Sequence, residues 1–241
     1  KVAEKYNAKK ILDLAELYPE AMRTWDKYRK NIFLNLAVHQ LKIPDYVEKK
    51  AVLNADGILV VCEEMKTRLI NQFSIDENKI CLVQNTPSLS QWKNFTRGSD
   101  QAKPFRFGYH GILCEDRELE IILKGFDLAA EKNHAITLTL AGGGESEEKL
   151  KNLRQTLKNK DRIILSGRYK PDDLPKLYSE CDFGIVSLKV NEFTNHTLAN
   201  KFFDYACLGK PFIFSDAKPL VSVMKKMKSG ISFQGGNIES A

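Results

Sequence analysis

A chain of 241 residues that is 43% hydrophobic and 28% charged carries enough apolar material for one substantial core or two modest ones, and too much for a disordered polymer. Its net charge of +6 is spread over short basic helix faces such as Lys149, Lys151, Arg154 and Lys158, with Lys225, Lys226 and Lys228 the densest cluster. That spread favours a phosphate-bearing small molecule or an anionic membrane surface over nucleic acid, with a plain solvated surface as the alternative. No apolar run approaches the roughly 18 residues of a spanning helix, and the five cysteines form no CxxC pair. They are expected to be buried, reduced thiols of a cytoplasmic protein, neither a disulfide framework nor a metal site.

In chain order, apolar runs of strand length alternate with amphipathic stretches of helix length, the pattern of βαβ units around a parallel sheet. The first part predicts strands at 10–14, 57–62 and 79–83 and helices at 25–40, 45–54 and 64–73. Three strands are few for an independent Rossmann-like domain. The chain opens in helix-like sequence without an initiator Met and stops soon after a strand, so a fragment is expected, its first domain incomplete. Residues 84–104 are polar and carry Asn85, Thr86, Pro87, Gly98 and Pro104, the punctuation of a linker. The division is 1–86, a linker at 87–104, and a second domain over 105–241.

The second domain predicts strands at 105–109, 136–141, 162–166, 183–188, 211–214 and 231–233, separated by helices at 117–132, 145–159, 172–181, 200–208 and 220–227. Pro171 followed by Asp172 and Asp173 suits a helix start, where a fixed φ and negative charge match exposed amides. Gly209 stands where a helix ends in a left-handed residue, and Pro211 bars its continuation.

Open parallel sheets bind ligands beyond the carboxyl ends of their strands, which singles out the loops at 110–117, 142–144, 167–169 and 191–201. A helix opening near Leu198 and Ala199 would aim unpaired amides at a diphosphate. Lys201 would add a full charge in the first turn, and Asp204, three residues on, shares its face and can accept two hydrogen bonds from a ribose diol. The competing reading makes Lys201 and Asp204 a surface ion pair with Asn200 as the helix cap. Arg117 is either a phosphate ligand or a helix-terminal charge without a ligand. His110 either lines a binding cleft or is structural, and His39 and His134 are surface residues.

The run Asn200-Lys201-Phe202-Phe203-Asp204-Tyr205, followed by Gly209-Lys210-Pro211, resembles the motif of family 4 retaining glycosyltransferases of the GT-B fold. The resemblance implies two Rossmann-like domains, with an acidic residue at Asp204 on the ribose of a nucleotide sugar. The family's glutamate eight residues earlier, near the transferred sugar, is His196 here. Phe105 to Leu113 resembles the first donor-domain strand and glycine loop, in which Gly111 admits the sugar diphosphate. Ile112 replaces the family's first cation and Arg117 matches its second, so Arg117 and Lys201 would neutralise the leaving diphosphate. Leu138 to Gly144 resembles the glycine turn under the nucleotide, with Gly142 and Gly143 its members, and Arg168 lies in the loop framing the base. In the first part, Ile11 to Glu20 and Glu48 to Cys62 resemble acceptor-domain segments.

The resemblance implies a UDP- or GDP-linked sugar donor, no cofactor and no obligatory metal, with a glycan or lipid-linked acceptor. Assembly of a bacterial surface polysaccharide or lipopolysaccharide at the cytoplasmic face of the membrane is the context it implies. The departures at Ile112 and His196 keep open a non-catalytic nucleotide-sugar-binding module, and a GT-B nucleotide-sugar epimerase is a further alternative.

Overall fold

The computed structural model describes residues 2–96 and 104–241, so 97–103 of the expected linker lie outside the described residues. The chain divides into two compact units. One comprises Lys1–Asn85 with Asn191–Leu198, the other Thr86–Val190 with Ala199–Ala241.

The first unit holds a parallel sheet of β1 (Ile11–Leu14), β2 (Gly57–Val60) and β3 (Ile80–Leu82) in that order. Helices α1 (Val2–Lys5), α2 (Tyr18–Thr24), α3 (Asp26–Lys30), α4 (Ile32–Asn35), α5 (Ile43–Leu53) and α6 (Glu63–Phe73) accompany it. Leu17, Val52, Ile58, Val60, Met65 and Leu69 form its core, and Phe193 from the returning segment packs against them. Glu48, 8% exposed, is held by Arg68 at 3.0 and 2.6 Å, a two-pronged pairing that offsets the desolvation of a carboxylate.

The single helix predicted at 25–40 is broken. Asn31 is extended (φ −88°, ψ 120°) and its side chain accepts the amides of Phe33 and Leu34 at 3.1 Å each. An asparagine satisfies these orphan donors better as a cap than as an interior residue, so a new helix begins there. Leu36–Gln40 then widens into a π-helix.

The second unit carries a parallel sheet of β4 (Phe105–His110), β5 (Ile136–Ala141), β6 (Ile163–Gly167), β7 (Phe183–Val186), β8 (Phe212–Ser215) and β9 (Gly230–Phe233). Their spatial order is β6-β5-β4-β7-β8-β9, so the winding reverses between β4 and β7. This reversal is the doubly wound arrangement whose ligand crevice lies beyond the carboxyl ends of those two strands. The expectation of an α/β fold with parallel sheets is met. Helices α7 (Leu119–Lys132), α8 (Glu147–Thr156), α9 (Leu174–Ser179), α10 (Asn200–Cys207) and α11 (Lys218–Met227) connect the strands.

Helix α7 shows why these elements form and dock. It buries Leu119, Ile122, Leu123, Phe126 and Ala130, a helical stripe that joins Tyr109, Leu138, Leu140, Ile163 and Ile185 in the core. Helix α10 ends as its sequence requires: Gly209 is left-handed (φ +62°), and Lys210 N–H donates to the carbonyl of Tyr205 at 2.9 Å. The cysteines depart from expectation. Cys62 and Cys181 are buried, Cys114 is half-buried, and Cys81 and Cys207 are exposed, because strand β3 and the end of α10 turn those positions outward.

Candidate functional site

Two glycine turns meet at the carboxyl ends of β4 and β5. Gly111 (φ +155°) donates its amide to Ala141 at 2.8 Å, and Gly142 (φ +151°) donates to Gly167 at 2.8 Å. A Cβ on Gly142 would lie 1.7 Å from the Gly111 carbonyl oxygen, so only glycine permits this backbone crossing. Next to it, a Cβ on Gly143 would meet the Arg168 side chain at 2.5 Å. The loops following β4, β5 and β6 thereby form one closely packed tier of backbone, with the stem of Arg168 across it.

Lys201 reaches this tier from the first turn of α10. A Cβ on Gly111 would meet the Lys201 Cε and Nζ at 2.3 Å each, so the hydrogen at position 111 makes room for the ammonium group. That group also lies 5.5 Å from the centroid of the Tyr109 ring. Burial lowers the Lys201 pKa to about 8, the nearby Arg117 charge adds to the fall, and Asp204 opposes it. Arg117 closes a 3-10 turn at Glu115–Arg117 before α7, and its Nε is buried with no hydrogen-bond partner. Two cations thus stand close enough to repel each other, a state that an anion would relieve.

Asp204 lies one turn beyond Lys201 on α10 and is half-buried. Desolvation raises its pKa, while a hydrogen bond from Tyr178 and the charge of Lys201 pull the other way. The Tyr178 hydroxyl donates to Asp204 Oδ2 at 2.9 Å. The helix opens at Asn200, where the predicted element begins and just past the Leu198–Ala199 opening; its cap is Ala199 (φ −65°, ψ 131°), which offers no side-chain acceptor. Asn200 is therefore not the cap, and the start of the helix is dressed by no side chain of its own.

Other expected residues fall in different surroundings. His196 and Leu198 fall in the segment that belongs to the first unit. The His196 Nδ1 is 2.9 Å from the Glu192 carbonyl and 3.4 Å from its carboxylate, and Leu198 is 3% exposed. His110 is structural: it is 2% exposed, its Nδ1 is 3.1 Å from the Tyr205 hydroxyl, and burial lowers its pKa to about 4, which leaves it uncharged at neutral pH. His39 is half-buried, with its Nε2 enclosed and unpartnered. Tyr178 carries no local sequence signal that ties it to this site. It lies 26 positions from Asp204, beyond the reach of any helical or strand period.

Among the described residues no group of His, Cys, Asp and Glu is arranged to hold a metal ion, and no helix is long and apolar enough to cross a membrane. The profile of the glycosyl transferases group 1 family matches residues 90–241. The chain belongs to the group 1 glycosyltransferases. Among solved structures, this group 1 chain is similar to sucrose-phosphate synthase from Thermosynechococcus elongatus (TM-score 0.73, 14% identity, 99% of this chain and 58% of that one). It is likewise similar to Anabaena HepE in complex with UDP and glucose (TM-score 0.61, 13% identity, 99% and 61%). These likenesses give the group 1 chain the GT-B fold. An uncharacterized glycosyltransferase of Methanocaldococcus jannaschii is 22% identical over 188 residues, 72% of this chain and 46% of that protein. The chain spans about half the length of the relatives it matches.

Proposed function

We propose that this protein moves a glycosyl unit from a nucleoside diphosphate sugar, UDP- or GDP-linked, to a hydroxyl acceptor with retention of anomeric configuration. The observation that carries this reading is the pair Arg117 and Lys201, two neighbouring cations at the winding reversal, one with a buried unpartnered N–H and the other with a depressed pKa. A diphosphate seated there would satisfy both and meet the amide end of α10. As the glycosidic bond breaks, negative charge accumulates on the leaving diphosphate, and the same cations stabilise it more than they stabilise the ground state. Charge stabilisation by protein groups makes an obligatory metal unnecessary in this scheme. Asp204 takes the ribose diol, the tier of Gly111, Gly142 and Gly143 supports the phosphates, and Arg168 borders the base.

The complex of the similar HepE with UDP and glucose supports the donor class. The family resemblance carries the finer parts: a glycan or lipid-linked acceptor, assembly of a surface polysaccharide or lipopolysaccharide, and work at the cytoplasmic face of a membrane with peripheral attachment to anionic lipid. His196, in place of a glutamate, favours a second reading, nucleotide-sugar binding without transfer. Turnover of donor by the full-length protein decides between them.

Calorimetric titration with UDP and GDP tests the site. Lys201→Ala and Asp204→Ala are each expected to weaken binding roughly ten- to a hundredfold, the equivalent of one charge-assisted hydrogen bond, with the fold intact by circular dichroism. Unchanged affinity in both variants would remove the assignment.

A further inference from the structure

Tyr178 is a sequence-distant partner of the site, and its surroundings leave it little freedom. It is 1% exposed. Its ring stacks on His110 at 4.5 Å between centroids, meets Trp92 edge-on at 5.0 Å, and contacts Tyr205 at 5.0 Å. Three rings on different elements therefore hold the phenol, and its hydroxyl is aimed at one acceptor, Asp204 Oδ2.

An aspartate on a helix face turns readily about its terminal torsion, and Lys201, three residues earlier, is within the spacing at which helix side chains pair. Left to itself, the carboxylate would turn toward that ammonium and neutralise the cation a diphosphate needs. Asp204 and Lys201 form no ion pair with each other in the structure. The aspartate is held instead by Tyr178.

We propose that Tyr178 is a positioning residue that sets selectivity for the ribose of the nucleotide: it holds Asp204 Oδ2, leaves Oδ1 for the sugar diol, and keeps the carboxylate off Lys201. This rests on the reading of Asp204 as the ribose ligand. A carboxylate held in one orientation accepts from a 2′,3′-diol with little loss of freedom on binding; a free one does not.

The experiment compares the wild-type protein with Tyr178→Phe. UDP and GDP and their 2′-deoxy and 2′,3′-dideoxy counterparts are titrated by calorimetry, and thermal midpoints confirm the fold. The phenylalanine keeps the ring packing and removes only the hydroxyl. Wild type is expected to prefer the ribonucleotide by about tenfold or more, the scale of a hydrogen bond to a charged group. Tyr178→Phe is expected to lose most of that preference by weakening the ribonucleotide alone, with the dideoxy form bound within about twofold of wild type. On an Asp204→Ala background the same substitution should change nothing further, as two residues acting through one contact require. Full ribose preference in Tyr178→Phe, or equal weakening of all forms, overturns the role of Tyr178. Absence of preference in the wild type removes the ribose assignment of Asp204 itself, and this inference with it.

Discussion

Lys201 stands under two opposed demands, burial that disfavours its charge and a proposed ligand that requires it. With its pKa lowered from 10.5 to about 8, it loses its proton in the free protein as the pH rises through about 8. Affinity for a nucleoside diphosphate sugar, whose doubly esterified diphosphate has no ionisation in this range, is therefore expected to be level below pH 7 and to fall by up to about one decade per pH unit above pH 8. Lys201→Arg, charged at every accessible pH, should flatten that profile. Titrations from pH 6 to 9.5 test this, and a level wild-type profile would refute it. The effect on folding has the opposite sign. Below about pH 8 both folded and unfolded chains hold the proton and the penalty of the buried charge is complete. Between 8 and 10.5 the unfolded chain binds more protons, so this residue's contribution shifts toward the folded state as the pH rises.

At the scale of elements, the site is a meeting of strand ends, and the glycines there answer to the protein's own packing. Gly142 is required because the Gly111 carbonyl would be 1.7 Å from its Cβ. Gly167 is also left-handed (φ +76°), yet nothing lies within 4 Å of a Cβ there. The two positions separate crowding from backbone strain. Gly167→Ala is expected to cost about 1 kcal/mol, the conformational penalty of a Cβ in the left-handed region alone. Gly142→Ala should cost about 3 kcal/mol or more, because backbone must move, and should abolish nucleotide diphosphate binding by displacing the Gly111 turn. Urea denaturation with unchanged slope checks both; equal losses would show that the crossing of the two turns yields easily. The broken helix at Asn31 belongs to this scale as well. Apolar spacing over 25–40 is helical throughout, and periodicity does not register that one side chain is a better partner for two amides than for solvent.

Among the described residues each unit has a core of its own, with Leu17, Ile58 and Met65 in the first and Tyr109, Leu138 and Ile185 in the second. The proposed ligand touches groups of the second unit. Saturating nucleoside diphosphate at about a hundred times its dissociation constant stabilises the state that binds it by roughly 2.7 kcal/mol. Hydrogen exchange followed by mass spectrometry is expected to show that protection in peptides covering 105–113, 138–144 and 199–206, with little change in 57–69. Protection centred on the first unit would mean that the ligand site lies elsewhere.

The alternation of strands and helices, the parallel sheets, the stop at Gly209 and the candidates Lys201, Asp204, Arg117 and Gly111 were all legible in the sequence. The elements rest on local signals, period and turn chemistry, and Lys201 and Asp204 were candidates by their spacing on one helix face; Gly111 and Arg117 were candidates through the family resemblance. Tertiary structure alone decided that Lys201 lies against Gly111, that Gly142 serves the Gly111 carbonyl, that His110 is an uncharged packing group, and that Tyr178 holds Asp204. It also grouped His196 with the first unit. These facts join positions tens of residues apart, and such pairs are fixed by how strands order in a sheet and by which side chains then fill the same space, neither of which leaves a periodic trace along the chain.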